Sequence, residues 1–97
     1  MEGGNWKGMF EAAQTGDIEL VRYYIRTGVD SNYQHPEYMA SILVESIRFG
    51  HIDIMKLLLE NGCDPKVKEM LGGDTPLSVA IEKKNQQAID MLNSYLK

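Results

Sequence analysis

The sequence predicts an all-α fold, a solenoid of about three helix–turn–helix repeats joined by hairpin-like loops. Three observations predict it: an internal repeat with an offset of 34 residues, apolar residues at helical spacing within each copy, and glycines where helices should end. The repeat matches Gly16 to Gly50 and Gly28 to Gly62. Self-similarity at a period of about 20 to 50 residues is the signature of stacked-repeat proteins.

The first two copies each predict a pair of short helices. In the second copy the apolar residues recur at intervals of three and four, which is the spacing of one helix face and not of a strand. Gly50 separates the two helices of this copy. Gly62 follows the second helix, at the position where a residue with a left-handed backbone conformation commonly ends a helix. Gly16 and Gly28 take the same places in the first copy.

The third copy ends with the chain. The same offset places Ile81 at the position of Ile47 and Leu92 at that of Leu58, so these positions stay apolar. The last helix, about residues 86–96, mixes polar and apolar residues, as expected of a terminal repeat with one solvent-exposed face. Two short helices cannot bury their apolar faces alone, so the copies must stack and share one core.

The length and the repeat together predict one domain over residues 1–97. Its repeats are expected at about residues 6–38, 39–73 and 74–97. The first residue is Met1 and the last predicted helix runs to Lys97, which favours a complete chain, although the sequence alone leaves a fragment open.

Composition and charge argue against several classes of protein. The net charge of −4 and the pI near 5.0 argue against sequence-independent binding of DNA or RNA, because such binding needs clustered Lys and Arg. Cys63 is the only cysteine, so no intramolecular disulfide can form and a reducing compartment is expected. We expect no secretory signal, because an acid and no apolar run follow Met1, and no membrane span, because the apolar stretches are too short to cross a bilayer. We expect a cytoplasmic protein, or a nuclear one that enters by diffusion, with no membrane association.

Two segments resemble the ankyrin repeat family. They are residues 74–80, which read DTPLSVA, and residues 50–65, which read GHIDIMKLLLENGCDP. The family pattern runs from a Thr-Pro-Leu-His helix start, through a Gly-His corner and a second helix with paired leucines, to a Gly-Ala-Asp turn and a hairpin. The resemblance covers about residues 6–97, and it implies a stack of helix pairs whose concave face binds other proteins.

The sequence also departs from that pattern. Only residues 75–77 keep the Thr-Pro-Leu helix start, with Ser78 in place of histidine. The hydrogen bonds by which threonine and histidine tie adjacent repeats in the family are therefore expected to be largely missing. The offset of 34 exceeds the usual spacing of about 33 residues. That difference implies one extra residue in each inter-repeat loop, around residues 34–40 and 67–73, and we expect distorted hairpins there.

No group of side chains predicts catalysis, so we expect no enzyme activity, no cofactor and no metal site. Neither histidine has a nearby partner that would mark a site. His51 falls at the corner between two helices, where capping or packing is expected, and His35 falls in a loop. Residues 72–75 superficially resemble a phosphate-binding loop before a helix. A turn that leads into a helix with Pro76 at its first position explains the same residues.

Residues that the repeat pattern does not need for stacking are the candidates for binding. In the ankyrin family such residues lie on the concave face, which the hairpin tips and the outer sides of the first helices form. The resemblance places on that face Trp6, Gln14, Thr15, Tyr33, His35, Glu37, Tyr38, Ala40, Arg48, Phe49, Leu71, Asp74, Glu82 and Lys83.

The large members of that set are the types of residue that anchor protein interfaces. They are Trp6, Tyr33, Tyr38, Arg48 and Phe49. Two alternatives stay open: Trp6 could seal the end of the core, and Phe49 could lean onto the loop that carries Tyr38.

The function expected from these observations is that of a protein-interaction module, either an adaptor or an inhibitor that masks a partner's site. It would act as a monomer and hold another protein or peptide on its concave face. The alternative is a self-associating structural protein whose terminal repeats bury Trp6 or the last helix against a second molecule.

Overall fold

A computed structural model describes residues 2–96 of the chain, with the side chains of residues 5–96. Six helices and no strand occur in that range, and the helices follow one another in three pairs. The helices are α1 (Glu2–Thr15), α2 (Ile18–Arg26), α3 (Ile42–Arg48), α4 (Ile52–Glu60), α5 (Pro76–Glu82) and α6 (Gln86–Leu96). The all-α prediction is confirmed.

A residue in the left-handed conformation separates the two helices of each pair. The φ angle is 87° at Gly16, 79° at Gly50 and 56° at Lys84. Glycine adopts this conformation without steric cost, whereas Lys84 adopts it at a cost because it carries a Cβ. Gly28 and Gly62, with φ angles of 95° and 92°, follow the ends of α2 and α4. These five positions confirm the register that the 34-residue offset predicts.

Side-chain caps fix where four of the helices begin, and at the start of α6 the side-chain oxygen of Asn85 accepts from the backbone N–H of Ala88 at 3.1 Å. Asp17 and Ser41 each accept a hydrogen bond from the backbone N–H three residues later, at the starts of α2 and α3. At the start of α5, Thr75 and Ser78 form a reciprocal capping box in which each side-chain oxygen accepts the other's backbone N–H. The Thr75 hydroxyl that the family pattern uses between repeats therefore caps its own helix here.

Other side chains tie the adjacent helix pairs together. The Nε2 atom of His51 lies 3.0 Å from the carbonyl oxygen of Gln14. The His51 ring packs so closely against Gly16 that a Cβ there would lie 2.8 Å from its Cε1 atom. His51 makes no cap hydrogen bond, so it packs rather than caps. The carboxylate of Glu69 accepts a hydrogen bond of 3.0 Å from the backbone N–H of Ser41. These contacts link adjacent helix pairs.

The apolar faces of the helices meet in one shared core. The first helices α1, α3 and α5 pack in a row, and the second helices α2, α4 and α6 pack in another. Buried apolar side chains come from all six helices and include Met9, Val21, Leu43, Ile47, Ile54, Met55, Leu58, Val79 and Leu92. Each contributes about 1.5 to 3 kcal/mol of burial free energy. Stacking therefore supplies the stability that a single pair of short helices would lack.

The structure corrects the prediction that Trp6 lies on an exposed face. Its side chain is fully buried. The indole ring stacks on Phe10 with the centroids 4.9 Å apart and meets the Tyr38 ring edge-on at 5.4 Å. Helix α1 has 14 residues against 7 in α3, and its additional N-terminal residues include Trp6. Trp6 thus seals the end of the core, as the alternative interpretation held.

Candidate functional site

Two loops connect the helix pairs and lie side by side. The first loop is residues 27–41 and the second loop is residues 61–75. The side-chain amide of Asn32 donates to the carbonyl oxygen of Gly62 at 3.3 Å, and its oxygen accepts from the backbone N–H of Asp64 at 2.8 Å. Side-chain amides thus bridge the loops, and the described residues show no strand in either loop.

A second amide bridge brings the tips of the two loops together. The side-chain nitrogen of Gln34 donates to the carbonyl oxygen of Lys68 at 2.9 Å, and its oxygen accepts from the backbone N–H of Met70 at 2.9 Å. The backbone N–H of Leu71 donates to the carbonyl oxygen of Met39 at 3.2 Å. The two tips therefore form one continuous surface.

An apolar strip, defined as Tyr38, Met39, Met70 and Leu71, runs across these tips. All four side chains are exposed, and Met70 and Leu71 are the most so, at 58% and 66%. Water-exposed apolar side chains gain nothing from folding, so a group of them on neighbouring loop tips is a candidate for contact with a partner. The apolar strip is accordingly the first component of the candidate site.

Backbone hydrogen bonds hold the tip of the second loop in one shape. The backbone N–H of Glu69 donates to the carbonyl oxygen of Asp74 at 2.8 Å, and the N–H of Gly73 donates back to the carbonyl oxygen of Glu69 at 3.1 Å. Gly72 and Gly73 both have left-handed φ angles, of 86° and 73°, which suit glycine. The exposed pair Met70 and Leu71 is therefore presented by an ordered turn.

A polar network lies beside the apolar strip and joins α1, α3 and the second loop. Its centre is Arg48 at the end of α3, whose guanidinium donates to Glu45 at 2.7 Å, to Glu69 at 3.0 Å and to Asp74 at 3.2 Å. The side-chain amide of Gln14 donates to the other carboxylate oxygen of Glu45 at 2.7 Å. These five residues are named the Arg48 network.

The Arg48 network contains more negative than positive charge. One guanidinium faces three carboxylates, of which Glu45 and Glu69 have only 8% and 5% of their side chains exposed and Asp74 has 48%. Burial alone would lower the pKa of Arg48, but its hydrogen bonds to Glu69 and Glu45 outweigh burial and raise that pKa above its ordinary value. The guanidinium is therefore charged, and the ionised cluster carries a formal charge of −2.

The apolar strip, the Arg48 network and Phe49 together form what we name the loop–helix face. Phe49 caps the end of α3, directly after Arg48, and half of its side chain is exposed. Its ring makes no ring pair with Tyr38 among the described residues; Tyr38 packs instead against Trp6, Phe10 and His35. Six of the predicted residues meet on this face, namely Gln14, Tyr38, Arg48, Phe49, Leu71 and Asp74.

The remaining predicted residues lie around this face or beneath it. Tyr33 and His35 are half-buried beside the Trp6 ring, and Ala40 is half-buried at the end of the first loop. Thr15 and Lys83 are exposed at positions equivalent to Phe49, and Glu82 is exposed at the position equivalent to Arg48. Glu37 forms an exposed ion pair of 2.8 Å with Lys7.

Sequence reasoning missed four residues of the loop–helix face: Met39, Met70, Glu45 and Glu69. Met70 could have been found beside the predicted Leu71, because two apolar residues directly before two glycines in a loop have no helix face to bury them. Glu45 stands three residues before Arg48, a spacing that pairs side chains on a helix. The contact of Glu69 with Arg48 depends on how the second loop folds back, which no local spacing reveals.

The described residues bring no three His, Cys, Asp or Glu side chains together in an arrangement that could hold a metal ion. Over the same range, every helix is too short or too polar to cross a bilayer. Cys63 is a buried free thiol, 3.9 Å from the carbonyl oxygen of Ser31.

Comparison with known proteins identifies the architecture. A family model for ankyrin repeats matches residues 9–96 in three copies. An ankyrin repeat protein of fowlpox virus (strain NVSL) is 30% identical over 83 residues, which are 84% of this chain and 24% of that protein. The palmitoyltransferase AKR1 of Lachancea kluyveri is 37% identical over 65 residues, which are 67% of this chain and 9% of that protein.

A further relative is the 2-5A-dependent ribonuclease of Homo sapiens, which is 31% identical over 72 residues, or 74% of this chain and 10% of that protein. The chain thus spans a quarter or less of the length of these three relatives. The three relatives are named as different kinds of protein, so the feature that they have in common with this chain is the ankyrin repeat. Because the family model covers nearly all the described residues and the helix pairs stack in one core, this chain belongs to the ankyrin repeat family.

Proposed function

We propose that the chain binds another protein or peptide on its loop–helix face and itself catalyses no reaction. Ankyrin repeats generally mediate protein–protein interaction. The observation that carries the proposal for this surface is the apolar strip, whose four exposed side chains lie together on the two loop tips. Phe49, which directly follows Arg48 at the end of α3, adds an exposed aromatic ring.

The fixed conformation of the two loops supports the proposal. Binding costs free energy when flexible segments must be fixed, so a surface that is already held in shape gives up less. The bridges through Asn32 and Gln34 and the turn from Glu69 to Asp74 hold the loop–helix face in this way. Aromatic residues, Met and Arg are also enriched in protein interfaces, and Tyr38, Phe49 and the two methionines supply them.

A non-catalytic role fits the way in which the relatives match. Two of them are named as enzymes, yet the chain aligns with only 9% and 10% of their lengths. The three carboxylates of the Arg48 network are engaged by a guanidinium. We therefore propose an adaptor, or an inhibitor that masks a partner's site, in the reducing cytoplasm or nucleus, where the single buried thiol of Cys63 would stay reduced.

Affinity capture from native extract tests the proposal. The immobilised chain is compared with Leu71→Ser and Phe49→Ala, which remove exposed apolar area from the loop–helix face. Tyr23→Ser is the matched control, because Tyr23 is equally exposed but lies on α2. We expect the partner to be lost from Leu71→Ser and Phe49→Ala and kept by Tyr23→Ser. A partner that all three variants retain equally would remove this face from the proposal.

We propose further that the chain acts as a monomer. Stacking a second copy on the third repeat would bring its first repeat next to α5, as α3 now lies next to α1. In that arrangement Glu11 of the added copy would take the place of Glu45 and would meet Glu82 in the place of Gln14. Two like charges at that distance repel. Light scattering over a range of concentrations tests this: a molar mass that rises with concentration would favour self-association instead.

A further inference from the structure

We infer that the segment bound by the loop–helix face is a basic amphipathic one, in which Lys or Arg side chains stand beside apolar side chains. This inference rests on the proposed function and specifies its partner by chemistry. The face combines two properties: the apolar strip attracts apolar groups, and the charges beside it favour a cation.

The Arg48 network carries a negative charge. Its formal charge of −2 comes from three carboxylates that share one guanidinium, and two of those carboxylates are nearly buried. Charges that are shielded from water act over longer distances, because the effective dielectric constant is lower there. Asp74 has 48% of its side chain exposed and Arg48 has 30%, so the side of the network that faces solvent presents the Asp74 carboxylate with part of the guanidinium beside it.

The flanks of the network extend this negative region. Glu11 on α1 and Glu82 on α5 are exposed, and the 34-residue register gives them the positions that Glu45 and Arg48 hold on α3. Of the nearby cations, Lys7 is already paired with Glu37 at 2.8 Å. The others are Lys68, whose Cε lies beside Gly73 in the second loop, and Lys83 at the end of the row. The carboxylates of the Arg48 network, with Glu11 and Glu82, still outnumber these cations and Arg48.

The apolar strip decides what kind of cation is favoured. Leu71, Met70 and Met39 offer flexible apolar surface, and the thioethers of methionine adapt to partners of varied shape. The Tyr38 ring already holds a cation near it, the ammonium of Lys7 at 5.7 Å. A simple ion would leave the strip exposed to water, whereas a segment that alternates basic and apolar side chains would cover both parts of the face.

The same charges disfavour the other macromolecules that an exposed apolar surface could meet. Phosphates of a nucleic acid and anionic lipid headgroups would be repelled by the Arg48 network and by Glu82. An acidic amphipathic segment would meet the same repulsion. A basic segment of another protein is therefore the occupant that the face fits.

Three synthetic helical peptides test the inference by fluorescence anisotropy with the wild-type chain. The first is built of Leu and Lys; the second carries Glu in place of Lys; the third carries Ser in place of Leu. At about 0.15 M salt we expect the Leu/Lys peptide to bind about tenfold more tightly than either of the others. Equal affinity for the Leu/Glu peptide overturns the inference, and so does the absence of binding by the Leu/Lys peptide at about millimolar concentration.

A matched pair of charge reversals tests which part of the surface attracts the Leu/Lys peptide. Glu82→Lys and Glu60→Lys change the net charge of the chain equally, and both residues are exposed ends of helices, α5 and α4. We expect Glu82→Lys to weaken binding of the Leu/Lys peptide by about three- to tenfold and Glu60→Lys to change it by less than about twofold. Equal weakening by both would mean that only the total charge matters, which overturns the inference.

Leu71→Ser separates failure of this inference from failure of the proposed function. If the Leu/Glu and Leu/Lys peptides bind equally and Leu71→Ser weakens both, the face binds protein segments without regard to charge, and only the cationic partner is lost. If Leu71→Ser and the α2 control Tyr23→Ser weaken binding equally, the peptides bind elsewhere and both proposals fall.

Discussion

Arg48 holds two nearly buried carboxylates and one half-exposed carboxylate on the loop–helix face. Its removal by Arg48→Ala would leave Glu45 and Glu69 without a cation, and unpaired buried charges are costly. We expect the free energy of unfolding to fall by about 2 kcal/mol, less than for a fully buried pair because part of the guanidinium is exposed. Urea denaturation measures the change.

The control for Arg48→Ala is Arg22→Ala. Arg22 makes only a 3.6 Å contact with the exposed carboxylate of Glu19, and such surface pairs contribute about 0 to 1 kcal/mol. If the two variants lose the same stability, the Arg48 network does not hold α3 to the second loop. This result also bears on binding experiments, since a loss of binding in Arg48→Ala would reflect folding as well as contact.

The Cys63 thiol is buried, and desolvation raises its pKa from an ordinary 9.0 to about 11. The thiolate is the reactive form, so the folded chain should react with a thiol reagent at pH 8 far more slowly than the urea-unfolded chain. The difference in thiolate content alone is about a hundredfold. Equal labelling rates in the two states would show that Cys63 is accessible.

The same shift in the pKa of Cys63 predicts how stability depends on pH. Between pH 9 and 11 the unfolded thiol loses its proton while the folded thiol keeps it, so the unfolded state binds fewer protons and stability falls as pH rises. Below pH 9 this contribution is fully present. Cys63→Ala lacks it, and its free energy of unfolding should therefore fall less steeply over that interval.

At the scale of the helix pair, the corner residue Lys84 is a position where a substitution should raise the stability of the chain. Lys84 has a left-handed φ of 56° at the corner where the other two repeats have glycine. Lys84→Gly relieves the steric cost of that conformation, and this gain exceeds the extra freedom that glycine gives the unfolded chain. We expect stability to rise by about 0.5 kcal/mol or more, as a higher midpoint in urea denaturation.

The adjacent residue supplies the control for the corner. Lys83 has an ordinary φ of −82° at the end of α5, so Lys83→Gly should lower stability by about 0.5 kcal/mol. Should both glycine substitutions destabilise the chain alike, strain at Lys84 would not be the reason for the preference for glycine at the other corners.

For the molecule as a whole, the repeat register was readable from the sequence because it depends on local patterns. Helical spacing, corner glycines and the 34-residue offset each act within a few residues or repeat at a fixed distance. Gly16, Gly50 and Lys84 fall at equivalent corners for that reason. The shared core could also be predicted from the sequence, since a helix pair of this length must bury its apolar face on a neighbour.

The candidate site was only partly readable from the sequence. Phe49 and Leu71 could be named because the repeat pattern does not use them. The burial of Trp6 could not be settled, because it depends on how the first loop folds over the extended α1. The ion pairs of Arg48 with Glu69 and Asp74 join residues 21 and 26 positions apart, and the path of the second loop decides such contacts.

Backbone amide NMR shifts of the labelled chain show whether the loop–helix face is the surface that binds the partner. They are recorded as the Leu/Lys peptide or a captured partner is added. We expect the shifted amides to cluster at Met39, Phe49 and Leu71, with those of Tyr23 and Glu60 unchanged. Shifts that cluster instead on α2, α4 and α6 would contradict binding on the loop–helix face.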